Sequence, residues 1–340
     1  MKRISSLSAI LCLAAALGFA QSPDLDTYKS GIRDFAEELA AVLPLNSLIG
    51  LNWNDAYIGQ FEALPHAGIG FTAGFTTLPA GAIENIIENT MGGDPADLPN
   101  ILRKTGIPVP AGTIDVRISG FSLPLDLGLK FGYFNFDFND IDGDYLLMGG
   151  DIRYCILEQT ILIPKISIGA GFNYLRTQIK LGGALGDELK IDIPSSVSGS
   201  LPGINSLIVT SPGLYLETAT KVIDLKIQAS WQALIFEPSI GLGMSYGMSR
   251  IMAGAESSIY KNDATNPANK LDSSDMAALS ALGFDVDEKG IGYTSSVTAM
   301  SYRLFGGLGF NLSSFRMSLG LLFGMNTGSW GATFGARLQL

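Results

Sequence analysis

Acidic and basic residues stand two positions apart at several places in this sequence, within stretches that are otherwise apolar or rich in glycine. Three such pairs are Asp115 with Arg117, Asp151 with Arg153, and Asp224 with Lys226. A cation beside an apolar surface can bind the carboxylate of an apolar ligand through a charge-assisted hydrogen bond. We therefore name Arg153, Lys226 and Arg303 as candidate ligand-binding residues. The alternative is that these charges neutralise one another and brace the fold.

Other kinds of chemistry find little support in the composition. The chain has one histidine, His66, which argues against a histidine-based metal site and against a Ser-His pair. We expect no catalytic residue, no metal and no cofactor, and therefore no enzyme. The formal net charge of −10 also argues against nucleic acid as a partner, because nucleic acid favours a basic surface.

The pattern around the charged residues predicts β-strands with two different faces. Between residues 222 and 232, large apolar residues such as Ile223 and Leu225 alternate with polar residues such as Asp224 and Lys226. A soluble β-sandwich would place long polar side chains on its outer face, whereas here the second face carries glycine, serine and isolated charges. The chain has 41 glycines and 47% hydrophobic residues. Together these features predict an all-β fold, an antiparallel transmembrane β-barrel whose backbone groups are all paired within the wall.

We predict ten strands, with ten to fourteen possible. Their ranges are 66–78, 112–119, 122–136, 145–158, 161–180, 213–232, 236–255, 291–310, 313–325 and 328–340. The longer connections all follow odd-numbered strands, so we expect them to face the exterior of the cell outer membrane, with both chain termini in the periplasm. The apolar last residue, Leu340, resembles the terminal signal read by the barrel-assembly machinery, which is an expected partner together with outer-membrane lipid.

Two segments precede the predicted barrel, which covers residues 62–340. Residues 1–20 have a short positive start, an apolar run and small residues at the end, a combination typical of a secretory signal peptide. Residues 21–61 form a separate N-terminal segment. We expect this segment to be a helical plug or hatch.

The plug prediction depends on an amphipathic helix over residues 24–43, which Pro44 is expected to end. A helix placed before the first strand can enter the lumen and fill it. In that position Ile32, Phe35 and Leu39 would form part of an apolar ligand-binding wall. The alternative is a helix that lies against the periplasmic rim.

The N-terminal helix is followed by NSLIGLNWNDAYIG at 46–59 and HAGIGFTAGF at 66–75. In this order the three elements resemble the start of FadL-like outer-membrane transporters of the spirochaete, or treponemal, type. The resemblance extends loosely over the mature chain. It implies passive uptake of hydrophobic small molecules, above all long-chain fatty acids, through a barrel that an N-terminal hatch closes. It also implies fourteen strands and an Asn-Pro-Ala motif in the hatch, whereas we count ten strands and find no such motif in the N-terminal segment.

Three functions stay open at this point. The first is a FadL-like channel for a hydrophobic small-molecule ligand. The second is a general porin for polar solutes. The third is a non-transporting surface or adhesin barrel whose long loops do the binding.

Overall fold

A computed structural model of the chain describes residues 25–59, 66–79, 104–120, 123–138, 141–181, 188–193, 203–210, 213–256, 258–282, 285–287 and 290–340. Residues 1–20, the predicted signal peptide, lie outside the described residues. The side chains of Ile32 and Phe35 also lie outside them.

The described residues form fourteen strands and two α-helices. The helices are α1 (Leu25–Ser47) and α2 (Ser273–Ala281). The strands are β1 (His66–Leu78), β2 (Ile107–Ser119), β3 (Leu125–Phe138), β4 (Ile141–Leu157), β5 (Lys165–Leu181), β6 (Glu188–Asp192), β7 (Ser206–Thr210), β8 (Gly213–Ser230), β9 (Phe236–Glu256), β10 (Ile259–Lys261), β11 (Asp285–Asp287), β12 (Gly290–Leu312), β13 (Phe315–Gly324) and β14 (Trp330–Gln339).

Ten of these strands form a closed antiparallel barrel. β1 to β5, β8, β9 and β12 to β14 pair in that order, and β14 pairs back with β1 from Gly68–Gln339 to Thr76–Gly331. The predicted ten-stranded barrel is confirmed. Among the described residues the barrel wall does not reach the fourteen strands that the FadL resemblance implies, because β6, β7, β10 and β11 are short strands within the connections.

Alternate side chains of the wall point to the outer surface and to the lumen. On β5, Phe172 is exposed on the outer surface while Asn173 is buried inside the barrel. The outer surface is an apolar band, as lipid contact requires. The band ends at Arg176 of β5, Lys221 of β8 and Arg250 of β9, whose charged side chains are exposed on the outside.

The connections differ between the two ends of the barrel. Residues 120–124, 158–164, 231–235 and 313–314 connect strands at what we call the short-turn end. Residues 79–106, 139–140, 182–212, 257–289 and 325–329 connect them at the long-loop end. One connection that we expected to be longer, between β3 and β4, has two residues because the two strands continue their pairing as far as Phe138 and Ile141.

Helix α1 is longer than the sequence pattern predicts. Pro44 lies inside the helix and does not end it, and the helix closes one turn later at Ser47, whose hydroxyl donates to the Pro44 carbonyl at 2.8 Å. Gly50 and Leu51 then adopt left-handed φ angles of 82° and 58°, which turn the chain into an irregular path. No helix among the described residues is both long and apolar enough to cross a bilayer.

The segment that begins with α1 runs through the barrel from one end to the other. Leu39 and Leu43 pack against Leu78, the last residue of β1, at the long-loop end. Ile58 donates its backbone N–H to Asp126, near the start of β3 and therefore at the short-turn end. We expected both ends of the mature chain on one side. Residues 21–24, with which the mature chain is expected to begin, lie outside the described residues, so this expectation stays a prediction. Within the described residues, Leu39 and the end of β14 lie at opposite ends of the barrel.

Two long connections build a small folded unit of their own. β7 lies between β6 and β10 in a three-stranded sheet with Ile191 in its buried interior. Helix α2 begins at a capping box, in which Asp272 accepts hydrogen bonds from the backbone of Ser274 and Asp275. The bond from the Ser274 hydroxyl holds the pKa of Asp272 below its usual range. Lys261 of β10 joins α2 to the sheet through an ion pair with Asp275 at 2.6 Å.

Candidate functional site in the barrel lumen

The inward faces of the strands divide the lumen into a charged half and an apolar half. The charged half lies toward the short-turn end, and its acids and bases are buried. They are Asp115, Arg117, Asp126, Lys130, Asp151, Arg153, Asp224, Lys226, Glu237, Arg303 and Arg337. Because each alternates with a lipid-facing residue on its strand, the strand period alone brings them into one lumen.

The charged half holds residues 46–58, which we call the lumen segment, by its backbone. After Ser47 this segment has no regular secondary structure. Five wall side chains donate hydrogen bonds to backbone carbonyls of this segment. They are Lys130 (to Ser47 at 2.6 Å and Ile49 at 2.8 Å), Arg117 (to Leu51 at 3.1 Å), Gln228 (to Trp53 at 2.8 Å and Asn54 at 3.0 Å), Arg153 (to Asp55 at 2.7 Å) and Lys165 (to Tyr57 at 2.9 Å). Irregular backbone at membrane depth needs such partners, because the hydrocarbon offers no water. The wall therefore takes the place of solvent for the lumen segment.

Asp55 is the carboxylate that the lumen segment itself brings into the charged half. Its Oδ1 accepts a hydrogen bond from Arg316 at 2.7 Å, and its Oδ2 accepts one from Arg337. The guanidinium of Arg337 also lies over the ring of Trp53, 4.6 Å from its centroid. Two neighbouring strands, β13 and β14, thus bind adjacent side chains of the segment. This cluster fixes the segment at one height in the barrel.

The three cations that we named from the sequence are all paired with wall carboxylates. Arg153 lies 2.7 Å from Asp126, Lys226 lies 2.8 Å from Asp151, and Arg303 binds Asp224 through two hydrogen bonds of 2.5 and 2.9 Å. Arg303 and Lys226 therefore brace the wall in this structure. Arg153 in addition holds the lumen segment. The alternative interpretation, a self-neutralising network, describes their observed contacts.

The apolar half of the lumen lies toward the long-loop end and is shared by α1 and the wall. Leu39, which we predicted to form an apolar wall, lies in it. The cluster consists of Leu39, Ala40, Val42, Leu43 and Ile49 from the N-terminal side and Leu78, Ala111, Tyr145, Leu147, Leu175 and Ile251 from the wall. We call it the apolar chamber. Val109 and Phe134 pack at its edge, and the ring of Phe134 stacks on Tyr145 with centroids 4.5 Å apart.

The wall beside the apolar chamber is incompletely paired. The ladder between β2 and β3 covers only Ile114–Ser119 and Asp126–Phe131. The residues beyond it, 107–113 of β2 and 132–138 of β3, pair with their outer neighbours β1 and β4 but not with each other. Pro108 and Pro110 each remove a backbone donor from this part of β2. The Val109 carbonyl accepts a hydrogen bond from the Asn46 amide at 3.0 Å, so the lumen supplies a partner there.

Sequence reasoning missed the apolar chamber although a signal was present. Leu147, Leu175 and Ile251 each stand beside a lipid-facing apolar residue, so the apolar and polar alternation breaks at these points. We assigned polar character to the whole inward face. Apolar residues at inward positions near one end of several strands indicate that something apolar lies against them, and here it is α1.

Two further residues with chemically active side chains are His66 and Cys155. His66 is half-buried at the start of β1, with its Nδ1 3.2 Å from the Leu340 carbonyl at the short-turn end. Cys155 is buried as a free thiol on β4. Within the described ranges, no three or more His, Cys, Asp or Glu residues are grouped to hold a metal ion. That the chain is not an enzyme stays a prediction.

Residues 104–340 match the family model described as Lsa36-like, which is more than two thirds of the chain. No curated protein gives a significant sequence match. The matched range contains nine of the ten barrel strands and begins after α1 and the lumen segment. The spirochaetal FadL-type membership that the N-terminal motifs suggested stays a prediction.

Several solved outer-membrane proteins are similar to this chain at low identity. The outer membrane protease OmpT from Escherichia coli is 12% identical, with a TM-score of 0.37, and 82% of this chain covers 99% of that one. The translocator domain of the autotransporter NalP from Neisseria meningitidis is 6% identical, with a TM-score of 0.33 and coverage of 81% and 87%. A FadL homologue from Pseudomonas aeruginosa is 8% identical, with a TM-score of 0.28 and coverage of 89% and 97%. Likeness at this level says nothing about the chemistry of the lumen.

Proposed function

This chain belongs to the Lsa36-like family, and we propose that its barrel is an outer-membrane channel for passive uptake of hydrophobic small molecules, closed at rest by α1 and the lumen segment. Long-chain fatty acids are the ligand class that we put first. The apolar chamber carries this proposal. In this structure the side chains of α1 fill it, and an apolar ligand that takes their place would be stabilised there in proportion to the surface it buries.

The unpaired stretch of β2 and β3 gives such a ligand a path. It lies where Val109 and Phe134 border the chamber, at the edge of the lipid-facing band, because the outward residues of β3 change there from the apolar Tyr133 to the polar Asn135 and Asp137. We propose that a molecule leaves the chamber at the start of this stretch, beside Tyr133, and enters the edge of the hydrocarbon without crossing the charged half. This route needs no cofactor and no energy source.

The three proposed ligand cations are engaged by wall carboxylates in this structure. Arg153, Lys226 and Arg303 are each bound to an aspartate when the segment is in place. Lys130 differs, since it donates to the neutral carbonyls of Ser47 and Ile49 at the junction of the two halves. We propose that a ligand carboxylate meets Lys130 first and that Leu39, with Ile32 and Phe35, faces the ligand chain.

A fatty-acid binding measurement tests the proposed function. Purified protein in detergent should bind a long-chain fatty acid saturably, and Leu147→Asn should weaken this binding roughly tenfold, because an amide then faces the acyl chain. Leu157→Asn is the matched control, since it makes the same change on the outer surface near a turn. Sugar-driven swelling of proteoliposomes without any fatty-acid binding would instead make the barrel a general porin.

The direction of the lumen segment predicts where the start of α1 is displayed. We propose that the long-loop end faces the cell exterior, as expected for outer-membrane barrels. An epitope inserted immediately before Leu25 should then be labelled by antibody on intact cells. An epitope added after Leu340 should be labelled only after the outer membrane is permeabilised, and labelling of both sites only after permeabilisation would contradict the proposal.

The small unit formed by β6, β7, β10 and α2 favours a second candidate function, binding of a macromolecule at the cell surface. Its own buried interior, with Ile191, Leu207 and Leu279, is more than a plain connection requires. If the barrel binds no fatty acid and conducts no solute while this unit binds a host ligand, the chain is a non-transporting surface barrel.

A further inference from the structure

The short-turn end of the barrel carries fully exposed leucine and isoleucine side chains where turns usually carry polar ones. The most exposed are Leu234 at 92%, Ile161 at 88%, Leu162 at 84% and Leu340 at 82% of their possible surface, followed by Leu123 at 60% and Leu312 at 54%. These residues belong to three of the four connections at this end, to the last position of β12 and to residue 340, which follows β14. We call these six residues the turn-tip ring, although the exposed polar residues Thr160, Gln232, Ser313 and Ser314 lie at the same turns.

The height of the apolar band indicates that the turn-tip ring lies within the membrane and not in the surrounding water. On β5 the lipid-facing residues extend from the turn up to Tyr174, and the next outward residue, Arg176, is charged. The stretch from Lys165 to Tyr174 rises about 23 Å along the barrel axis, at about 3.3 Å per residue and a strand tilt of about 40°. A barrel of this type needs an apolar band about 25 Å tall. An apolar band that begins at Tyr174, next to Arg176, therefore extends as far as the turn tips.

The backbone at one tip gives a second observation. Leu234 has a φ of 56°, in the left-handed region that glycine and asparagine adopt more readily. It sits in a tight hairpin in which Ala233 and Phe236 exchange both backbone hydrogen bonds, at 2.8 and 3.0 Å. Both its conformation and its exposure to water would oppose a leucine here, which favours an apolar environment for this side chain.

We propose that this environment is membrane lipid, and that the short turns are embedded in the inner leaflet of the bilayer and do not project into the periplasm. The ring is continuous with the lipid-facing band of the strands above it. Its members are also distributed over several sides of the circumference, from the start of β3 to the end of β14, whereas a folded partner protein would cover one sector. This inference rests on the membrane location of the barrel and, for the choice of leaflet, on the proposed orientation with the long-loop end outside; it does not depend on any transport activity.

Fluorescence quenching tests the proposal. A polarity-sensitive fluorophore on Leu234→Cys or Leu162→Cys, in a Cys155→Ser background and in liposomes, should lose most of its emission to lipids brominated on their acyl chains and little to aqueous iodide. The control is Ala277→Cys on α2, which is exposed at the long-loop end and should show the opposite response. The two turn positions are measured separately, so that failure of one variant to fold still leaves a test.

Two results would overturn the proposal. Strong quenching by iodide with no effect of brominated lipid would place the turns in water. Protection from both quenchers, together with cross-linking between copies of the labelled chain, would place a protein on the ring instead. Fatty-acid binding by the same preparations is an independent measurement, so failure of the proposed transport function would be distinguishable from failure of this one.

Discussion

Deletion of residues 25–58 is expected to raise the ion conductance of the barrel in a planar bilayer by at least about tenfold, because a ten-stranded lumen is wider than its own side chains can fill. Glycine at inward positions such as Gly128, Gly149 and Gly169 thins the wall further. In the intact chain α1 and the lumen segment occupy this space from Leu78 at one end to Asp126 at the other. The intact protein should therefore show little steady current.

The same deletion should also give the pore a preference for anions. Basic side chains outnumber acidic ones on the inward face, and Asp55, which Arg316 and Arg337 share, leaves with the segment. Reversal potentials in a potassium chloride gradient measure this preference. Deletion of residues 25–38 alone is the control, since it retains Leu39 and the lumen segment and should keep the conductance low. Equal conductance for the intact chain and the longer deletion would mean that the segment does not close the lumen.

Replacement of Asp55 by alanine is expected to cost about 3–5 kcal/mol, the range for removing one partner of a buried ion pair. The change leaves the guanidinium groups of Arg316 and Arg337 without their shared carboxylate in the lumen. The cost appears either as a lower unfolding temperature of the barrel or as release of the lumen segment from an intact barrel. Asp55→Glu should recover part of the loss, because it restores the charge.

Two measurements separate these outcomes. Heat-dependent mobility in a semi-native gel reports the unfolding of the barrel. Accessibility of Trp53 to acrylamide reports release of the segment, because its ring is buried against Arg337 and Arg117. Asp34→Ala is the control: its ion pair with Arg33 is exposed and is worth about 0–1 kcal/mol. If Asp55→Ala behaves like Asp34→Ala in both measurements, Asp55 does not hold the segment.

The barrel was predictable because lipid on one side and a lumen on the other impose a period of two on every strand. The bounds of β1, His66–Leu78, agree with the prediction at both ends. The predicted strand bounds are poorer where a strand no longer has lipid on one side and the lumen on the other. β3 and β4 continue past the band to Phe138 and Ile141, where the alternation no longer separates lipid from lumen.

The lumen contacts were less predictable, for a physical reason that Lys130 and Arg153 illustrate. A sequence indicates which acidic and basic side chains could form ion pairs, and the aspartates were predicted as partners in this way. The same reasoning has no means of finding a backbone carbonyl, since every residue has one. The direction of α1 was equally hidden, because an amphipathic helix presents the same apolar stripe whichever end of a barrel it enters.

The path of the N-terminal segment has a consequence for the order in which this protein is assembled. The pairing that closes the barrel joins β1 to β14, the two strands farthest apart in the chain, and such a long-range contact is costly to form early. The segment is attached to the start of β1 at the short-turn end, yet α1 lies toward the long-loop end. If the barrel closed first, a folded helix about 10–12 Å wide would have to pass along its whole axis. Assembly is simpler if the sheet curls around the segment, so that the pairing of β14 with β1 encloses it.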